Sequence, residues 1–392
     1  MDYINNKKIS EFRKTKSDIE MLMKRGICSL SEGGPKFYTG YVDRILFDWD
    51  QYFESILQIY MGWSSDLIKN GVLIFLDTQQ SNGLITRSVP PLPPDENEHV
   101  KPFLAQIINL VRYVYQEDGW LTDSYYKKLV KYINYWLDDM DSNKNGLSEW
   151  MSSVHTGMDN QHERAGYWNE RFCEGVDLNS YLFLELKAMS DIAESMGYPE
   201  DALKYEFRSE KIKSIILTEM WDENDGFFYD LDMRTGKKIK VKSISSFTPL
   251  FAEIATTKQA KRMIYEHLFN ANEFWTPYPV SAYAKSEPGY REELNDSDVG
   301  CNWRANTWIN TNYMLYHSLK YYGYEQLADL VAHNTLKLVK KSGNREYYNS
   351  ESGEGIKQDP FWGWSLLAHF LPLESQLEFD IPLAGRGRYL EP

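Results

Sequence analysis

The sequence predicts an all-α fold made of helical hairpins, on three observations. Apolar residues recur at helical spacing through much of the 392 residues. Strand-like alternation is sparse and short. Similar Asn/Asp-Gly turns recur between the helical stretches.

From Phe103, the residues Leu104, Ile107, Ile108, Val111 and Tyr115 fall on one helical face. From Asp123, the series Tyr126, Leu129, Ile133, Trp136, Leu137 and Met140 does the same, with Thr122 or Asp123 as its cap. A third helix runs through Leu178, Tyr181, Leu182, Met189, Ile192, Ala193 and Met196 and stops at Gly197. Ile212, Ile215, Ile216 and Glu219 close a fourth, and 313–322 and 326–340 read as a fifth and sixth.

The joints between these helices resemble one another. Ser81-Asn82-Gly83-Leu84, Asn143-Lys144-Asn145-Gly146-Leu147 and Glu223-Asn224-Asp225-Gly226-Phe227 each turn into an apolar residue, with glycines 63 and 80 residues apart. A further polar loop starts at Ser342-Gly343-Asn344, 117 residues after Gly226. A unit of about 65 residues gives about six hairpins. Six hairpins can close into an (α/α)6 toroid around a central pocket, or stack as an open solenoid without one. The spacing fits both. The proline-rich segment from Val89 to Glu98 interrupts the helices and is read as a loop over one mouth of the fold. With no composition break elsewhere, residues 1–392 are expected to form a single domain.

Composition narrows the function classes. Lys and Arg total 43 against 57 Asp and Glu, a net charge of −14. That balance offers no electrostatic case for a nucleic-acid backbone or an anionic membrane. Aromatic residues make up 15%, which suits a large core or a site that binds sugar faces. Cys28, Cys173 and Cys301 are too few and too widely spaced for a disulfide framework or a structural zinc site. Residues 1–16 lack the apolar core of a signal peptide, and no stretch of about 18 apolar residues occurs. A cytoplasmic location is expected, without a cofactor or metal. Asp141-Ser142-Asn143-Lys144-Asn145-Gly146 opens like a calcium loop, but Ser152 stands where such a loop needs its bidentate Glu, so an Asx-rich turn is expected.

Two polar loops carry the candidate acids. One holds Glu149, Trp150, His155 and Asp159. The other runs from Asn344 to Gly355 through Glu346, Glu351 and Glu354, and leads into Phe361-Trp362-Gly363-Trp364. Carboxyl groups from separate loops, with tryptophans beside them, are what acid/base glycoside cleavage requires.

Several segments, in order along the chain, resemble glycoside hydrolase family 63 and the related trehalases, most closely the bacterial mannosylglycerate and glucosylglycerate hydrolases. They are Asp48-Trp49-Asp50-Gln51-Tyr52-Phe53, Thr156-Gly157-Met158-Asp159-Asn160, Asp177-Leu178-Asn179-Ser180-Tyr181, Phe274-Trp275-Thr276-Pro277-Tyr278-Pro279, Asn302-Trp303-Arg304-Ala305 and Phe361-Trp362-Gly363-Trp364. The resemblance implies the toroid and an inverting, exo-acting α-glycosidase on a small glycoside. By position it implies Asp159 as general acid and Glu346 as general base. It makes Trp49, Asp50, Gln106, Asp177 and Arg304 sugar-binding or positioning residues, and Trp150, Trp303, Trp362 and Trp364 aromatic walls. A buried Asp–Arg pair such as Asp177 with Arg304 fits a scaffold equally well.

Three positions depart from the family pattern. The family loop continues Asp-Asn-Ser-Pro-Arg, whereas Arg164 here falls one place late. Ala305 replaces a glycine, and Lys101-Pro102-Phe103 only partly matches the double-proline entry before Gln106. An anionic aglycone such as glycerate would need a basic residue at the pocket mouth, for which Arg164, Arg291 and Arg87 are candidates. Two rival readings make their own demands. A sugar isomerase on a helical toroid needs paired histidines facing the pocket, with His155 and His369 as candidates. A helical-repeat binding protein predicts Glu346 exposed and far from Asp159.

Overall fold

The helical spacing is realised, and further helices form before Phe103 and between Ser243 and Phe269. A computed structural model describes residues 14–92, 97–167, 170–294 and 300–377. After a helix over 14–23 come α1 (Asp48–Met61), α2 (Asp66–Asp77), α3 (Leu104–Tyr115), α4 (Asp123–Asn134), α5 (Val176–Ser195) and α6 (Pro199–Ile215). The chain continues through α7 (Thr248–Phe251), α8 (Thr257–Arg262), α9 (Ile309–Tyr321), α10 (Glu325–Ser342), a 3-10 segment (Trp364–His369) and α11 (Leu371–Leu377).

Packing between helices decides between toroid and solenoid. Helix α1 packs on α3, α3 on α5, α5 on α7, α7 on α9, α9 on the 3-10 segment, and that segment back on α1. The inner ring is therefore closed, and the fold is an (α/α)6 toroid. Helices α2, α6 and α10 lie outside the ring against α3, α5 and α9, and α4 packs on α2.

The two rings differ as their positions require. Helix α4 buries Tyr126, Leu129 and Ile133 of the stripe its spacing predicts, with Tyr132 beside them and no other residue. All fourteen residues of α1 are buried, among them Asp48, Asp50, Gln51, Glu54 and Gln58. An inner helix touches protein on every side, so its polar groups must find partners inside. Glu54 accepts the Gly40 N–H at 2.6 Å, and Ser55 Oγ donates to the Gln51 carbonyl at 2.6 Å. At the first turn of α3, the Ala105 and Gln106 N–H groups donate to Glu185 of α5 at 2.6 and 3.2 Å, capping one inner helix from the next.

The strands among the described residues are two or three residues long. They tie loops together at the ends of the inner helices. Leu46–Phe47 pairs antiparallel with Ser88–Val89, fixing the entrance of the proline-rich segment beside the start of α1. Of that segment, Pro93, Pro94, Asp95 and Glu96 lie outside the described residues. The Asp141 turn closes on itself, Asp141 Oδ2 accepting the Gly146 N–H at 3.1 Å. Among the described residues no helix is long and apolar enough to cross a membrane.

Candidate active site

A cavity of about 230 Å³ opens where α1, α9 and the 3-10 segment begin. Its residues come from first helical turns and from the loops between the helices. Trp49 and Asp50 stand in the first turn of α1, Trp308 immediately precedes α9, and Trp364 opens the 3-10 segment. Asp159, Glu346, Gly157, Gly300, Cys301, Trp303, Tyr41, Asp43 and Arg87 line the same space.

Two loops converge to place the carboxyl groups. The Asp159 loop is stitched to the segment from Gly300 to Arg304. Cys301 N–H donates to Asp159 Oδ2 at 2.7 Å, Trp303 N–H to Asn160 Oδ1 at 2.8 Å, and Gln161 Nε2 to the Trp303 carbonyl at 2.7 Å. Gly300 has φ +93°, and a Cβ there would stand 2.1 Å from Asp159 Oδ2, so only glycine admits this approach. Glu346 is set from the other side. The strand that follows it, Tyr347–Asn349, pairs antiparallel with Asn306–Thr307 just beyond the Cys301 segment. Trp364 Nε1 donates to the Glu346 carbonyl oxygen at 2.8 Å.

Cys301 therefore touches both carboxyl groups, its N–H on Asp159 and its Sγ 3.2 Å from Glu346 Oε1. Covalent geometry between those two atoms limits the carboxyl separation to roughly 10 Å. Burial pushes the Asp159 carboxyl up to about 7, opposed by the positive charges of Arg87 and Lys101 and by the Cys301 N–H. Burial also raises Glu346, opposed by the Cys301 thiol, Lys357 and the Tyr41 hydroxyl. Asp50 is pushed up by burial and by Asp48 beside it, and its Oδ1 has no hydrogen-bond partner among the described residues. Asp48 itself is held by Lys101 Nζ at 3.0 Å, and that ammonium sits 5.3 Å from the Trp49 ring centre.

Tryptophans form a continuous wall. Trp303 stacks on Trp308 with ring centres 3.7 Å apart, Trp308 stacks on Tyr347 at 4.4 Å, and Trp49 leans on Trp303 at 5.6 Å. Trp364 meets Trp308 at 5.8 Å. Trp308 is thus covered on both faces, and the rings together give the cavity an apolar aromatic lining of the kind that suits a sugar.

Of the residues singled out in the sequence, Trp49, Asp50, Asp159, Trp303, Glu346 and Trp364 meet at the cavity. Gln106, Trp150, Arg164, Asp177, Arg304 and Trp362 are not among its lining, and each has polar groups engaged behind it. Gln106 Nε2 donates to the Pro102 carbonyl at 2.8 Å, and Trp362 Nε1 to the Thr39 carbonyl at 2.9 Å. Trp150 packs edge-on to Trp136 and donates to Asp177 at 3.0 Å. The expected Asp177–Arg304 pair is replaced by two others. Asp177 pairs with Arg164 at 2.5 Å, and Arg304 with Glu163 at 3.0 Å. Arg164, one place late in sequence, turns away from the cavity to Asp177 and Asp230.

Arg87 is the one arginine among the three aglycone candidates that lines the cavity, and it also pairs with Glu98 at 3.1 Å. Among the described residues no histidine lines the cavity. His155 Nδ1 accepts the Met151 N–H, its Nε2 lies 2.7 Å from the His99 carbonyl, and burial holds its pKa well down. His369 sits 3.1 Å from Asn344 Oδ1. The paired histidines of the isomerase reading are thus not at this cavity, and Glu346 is buried beside the Asp159 loop, contrary to the binding-protein reading.

Sequence reading missed Tyr41, Cys301 and Trp308. Trp308, five residues after Trp303, was the only one with a signal, since the aromatic spacing continues a motif already recognised.

A closed helical ring with two buried carboxyl groups on a tryptophan-walled cavity defines a domain of the glycoside-hydrolase type. The profile of the mannosylglycerate hydrolase MGH1-like glycoside hydrolase domain matches residues 45–365, and the chain belongs to that family. Mannosylglycerate hydrolase of Rubrobacter radiotolerans is 29% identical over 198 residues, covering 50% of this chain and 42% of that protein. Mannosylglycerate hydrolase of Thermus thermophilus is 25% identical over 245 residues, 62% of this chain and 55% of its own. The matched stretches thus span about half the length of these relatives. In fold, the chain resembles a solved GH63 mannosylglycerate hydrolase, also from Thermus thermophilus, in complex with Tris and D-glycerate. The TM-score is 0.68 at 18% identity, over 91% of this chain and 99% of that one.

Proposed function

We propose that the chain is an inverting, exo-acting α-glycosidase on a small α-mannoside or α-glucoside, with Asp159 as general acid and Glu346 as general base. One observation carries this reading: two buried carboxyl groups from separate loops, both held by Cys301, face one tryptophan-walled cavity.

The chemistry follows from the environments. With its pKa near 7, Asp159 keeps a proton in a large fraction of molecules at neutral pH. It delivers that proton to the glycosidic oxygen as the bond to the anomeric carbon breaks. Glu346 takes a proton from a water molecule, which attacks the anomeric carbon from the opposite face. Inversion requires carboxyl groups about 6.5–9.5 Å apart, within the limit set by Cys301. Asp50, with a buried oxygen lacking a partner among the described residues, receives a sugar hydroxyl. A cavity of about 230 Å³ suits one sugar ring and a short aglycone, hence exo-action. Two relatives are mannosylglycerate hydrolases and a solved one holds D-glycerate, so mannosylglycerate heads the substrates, then glucosylglycerate and small disaccharides. Arg87 is the cation placed for a carboxylate aglycone. We place the whole catalytic function in one domain, and in the cytoplasm, where the free thiols of Cys28, Cys173 and Cys301 stay reduced.

The test is incubation with α-mannosides and α-glucosides, including the α-glycosides of both sugars with glycerate, with release of free sugar read across pH. We expect release from at least one, with a bell-shaped kcat/KM. Activity falls on the acid side as Glu346 gains a proton, and on the alkaline side near pH 7 as Asp159 loses one. Aldose–ketose or epimer exchange of free sugars without glycoside cleavage would contradict the reading.

A further inference from the structure

Cys301 occupies a position that the catalytic pair alone does not explain. It contacts both carboxyl groups, and it does so through different atoms. The backbone N–H serves Asp159 and the side-chain thiol serves Glu346. A substitution can therefore alter one contact and leave the other in place.

We propose that Cys301 is a positioning residue for the general base: its thiol donates a weak hydrogen bond that aims Glu346 Oε1 while leaving that carboxylate basic enough to accept a proton from water. The inference rests on the assignment of Glu346 as base and adds the group that orients it.

The physical case has three parts. First, the thiol remains a thiol. Burial and the negative charges of Glu346 and Asp159 hold its pKa well above the ordinary cysteine value, so it is a neutral donor at working pH. Second, its distance of 3.2 Å is shorter than that of Tyr41 Oη to the same oxygen, 3.4 Å, so it is the closer of the two donors. Third, a sulfur donor is weaker than a hydroxyl. A strong donor would stabilise the carboxylate anion and reduce its power as a base. Donor strength at residue 301 thus sets a balance between aim and basicity. Among the described residues, the other charged or titratable groups acting on Glu346 are Lys357, Asp43, Tyr41, Tyr347, Asp50 and Asp159. None of them is altered by exchanging the thiol.

Two variants test the proposal. In Cys301→Ala the donor is lost, and the acid limb of kcat/KM should move to higher pH, with activity on that limb about three- to tenfold below wild type. In Cys301→Ser a stronger donor is supplied, and the same limb should move to lower pH with a reduced plateau. The alkaline limb should stay in place in both, because the Cys301 N–H on Asp159 is retained. A purely structural role would lower thermal stability or raise KM without moving the acid limb in opposite directions.

The ionisation of Glu346 can also be read without any substrate. In protein labelled with 13C at glutamate carboxyl carbons, the resonance lost in Glu346→Gln identifies the residue. Its titration should shift up in Cys301→Ala and down in Cys301→Ser. Unshifted titration in both variants would overturn the proposal. Undiminished hydrolysis by Glu346→Gln would instead overturn the assignment of the base.

Discussion

Asp159→Asn lowers kcat/KM by about 10²–10⁴-fold, yet makes the protein more stable at neutral and alkaline pH. Both effects come from one cause. Asparagine keeps the shape of the side chain and can still accept the Cys301 N–H, but it has no proton to give to a leaving oxygen. The stability gain follows from linkage. The folded-state pKa is about 7, above the ordinary aspartate value of 3.8, so the folded protein binds more protons than the unfolded chain between those values. Stability therefore falls as pH rises from about 4 to about 7, and the penalty is complete above that. Its size is about 4 kcal/mol at most, as an order of magnitude. Removing the charge removes the penalty. Thermal melts at pH 4 and pH 9 check this: wild type and Asp159→Asn should differ little at pH 4, and the variant should melt higher at pH 9. Full activity in the variant, or a stability difference independent of pH, would contradict the assignment.

Arg164→Met destabilises the fold by about 3–5 kcal/mol. The guanidinium is fully buried, with Nη2 2.5 Å from Asp177 Oδ1 and Nε 2.6 Å from Asp230 Oδ2. Removing it leaves two carboxylates buried without their counter-charge. Those carboxylates also hold the start of α5: Asp230 accepts the Val176 N–H at 2.7 Å, and Asp177 accepts the Leu178 N–H at 2.8 Å. Arg164 follows Asp159 by five residues, so the same ion pairs anchor the loop that carries the proposed acid. Chemical denaturation measures the loss. Arg164→Lys should recover little, because one ammonium does not reproduce two directed contacts. Combining Arg164→Met with Asp177→Asn and Asp230→Asn should recover part of the stability, since the uncompensated charges go too.

Helices with a regular apolar period were legible in the sequence in both rings, α3, α5 and α9 inside and α4 and α10 outside. The outer stripe from Tyr126 to Met140 and the inner helix ending before Gly197 both fold where the spacing places them. Helices α1, α2 and α7 were not read from the spacing. Helix α1 has no exposed face, and its buried Asp, Gln and Glu residues interrupt any apolar period. Helix α7 has four residues, and the last inner segment is 3-10 rather than α. Closure of the ring was not encoded in the hairpin spacing at all; it comes from packing of the 3-10 segment on α1, far apart in sequence.

The site divides in the same way. Motif segments located Trp49, Asp50, Asp159, Trp303 and Trp364, and position in the late polar loop located Glu346; all six lie on the cavity. The same motifs also contain residues that support it, and spacing cannot tell a lining residue from the one behind it. Arg164 finds Asp230, 66 residues away, and Arg304 finds Glu163, so the ion-pair partners are set by tertiary contacts. Cys301 gave no sequence signal because its significance lies in two contacts made by different atoms, one of them backbone.

The most direct test of the account is proton NMR of the first-formed sugar during hydrolysis of α-mannosylglycerate and α-glucosylglycerate. The account predicts that the β-anomer appears first and then mutarotates, and that Asp159→Asn releases no detectable sugar on the same timescale. Initial release of the α-anomer would contradict inversion, and with it the roles given to Asp159 and Glu346.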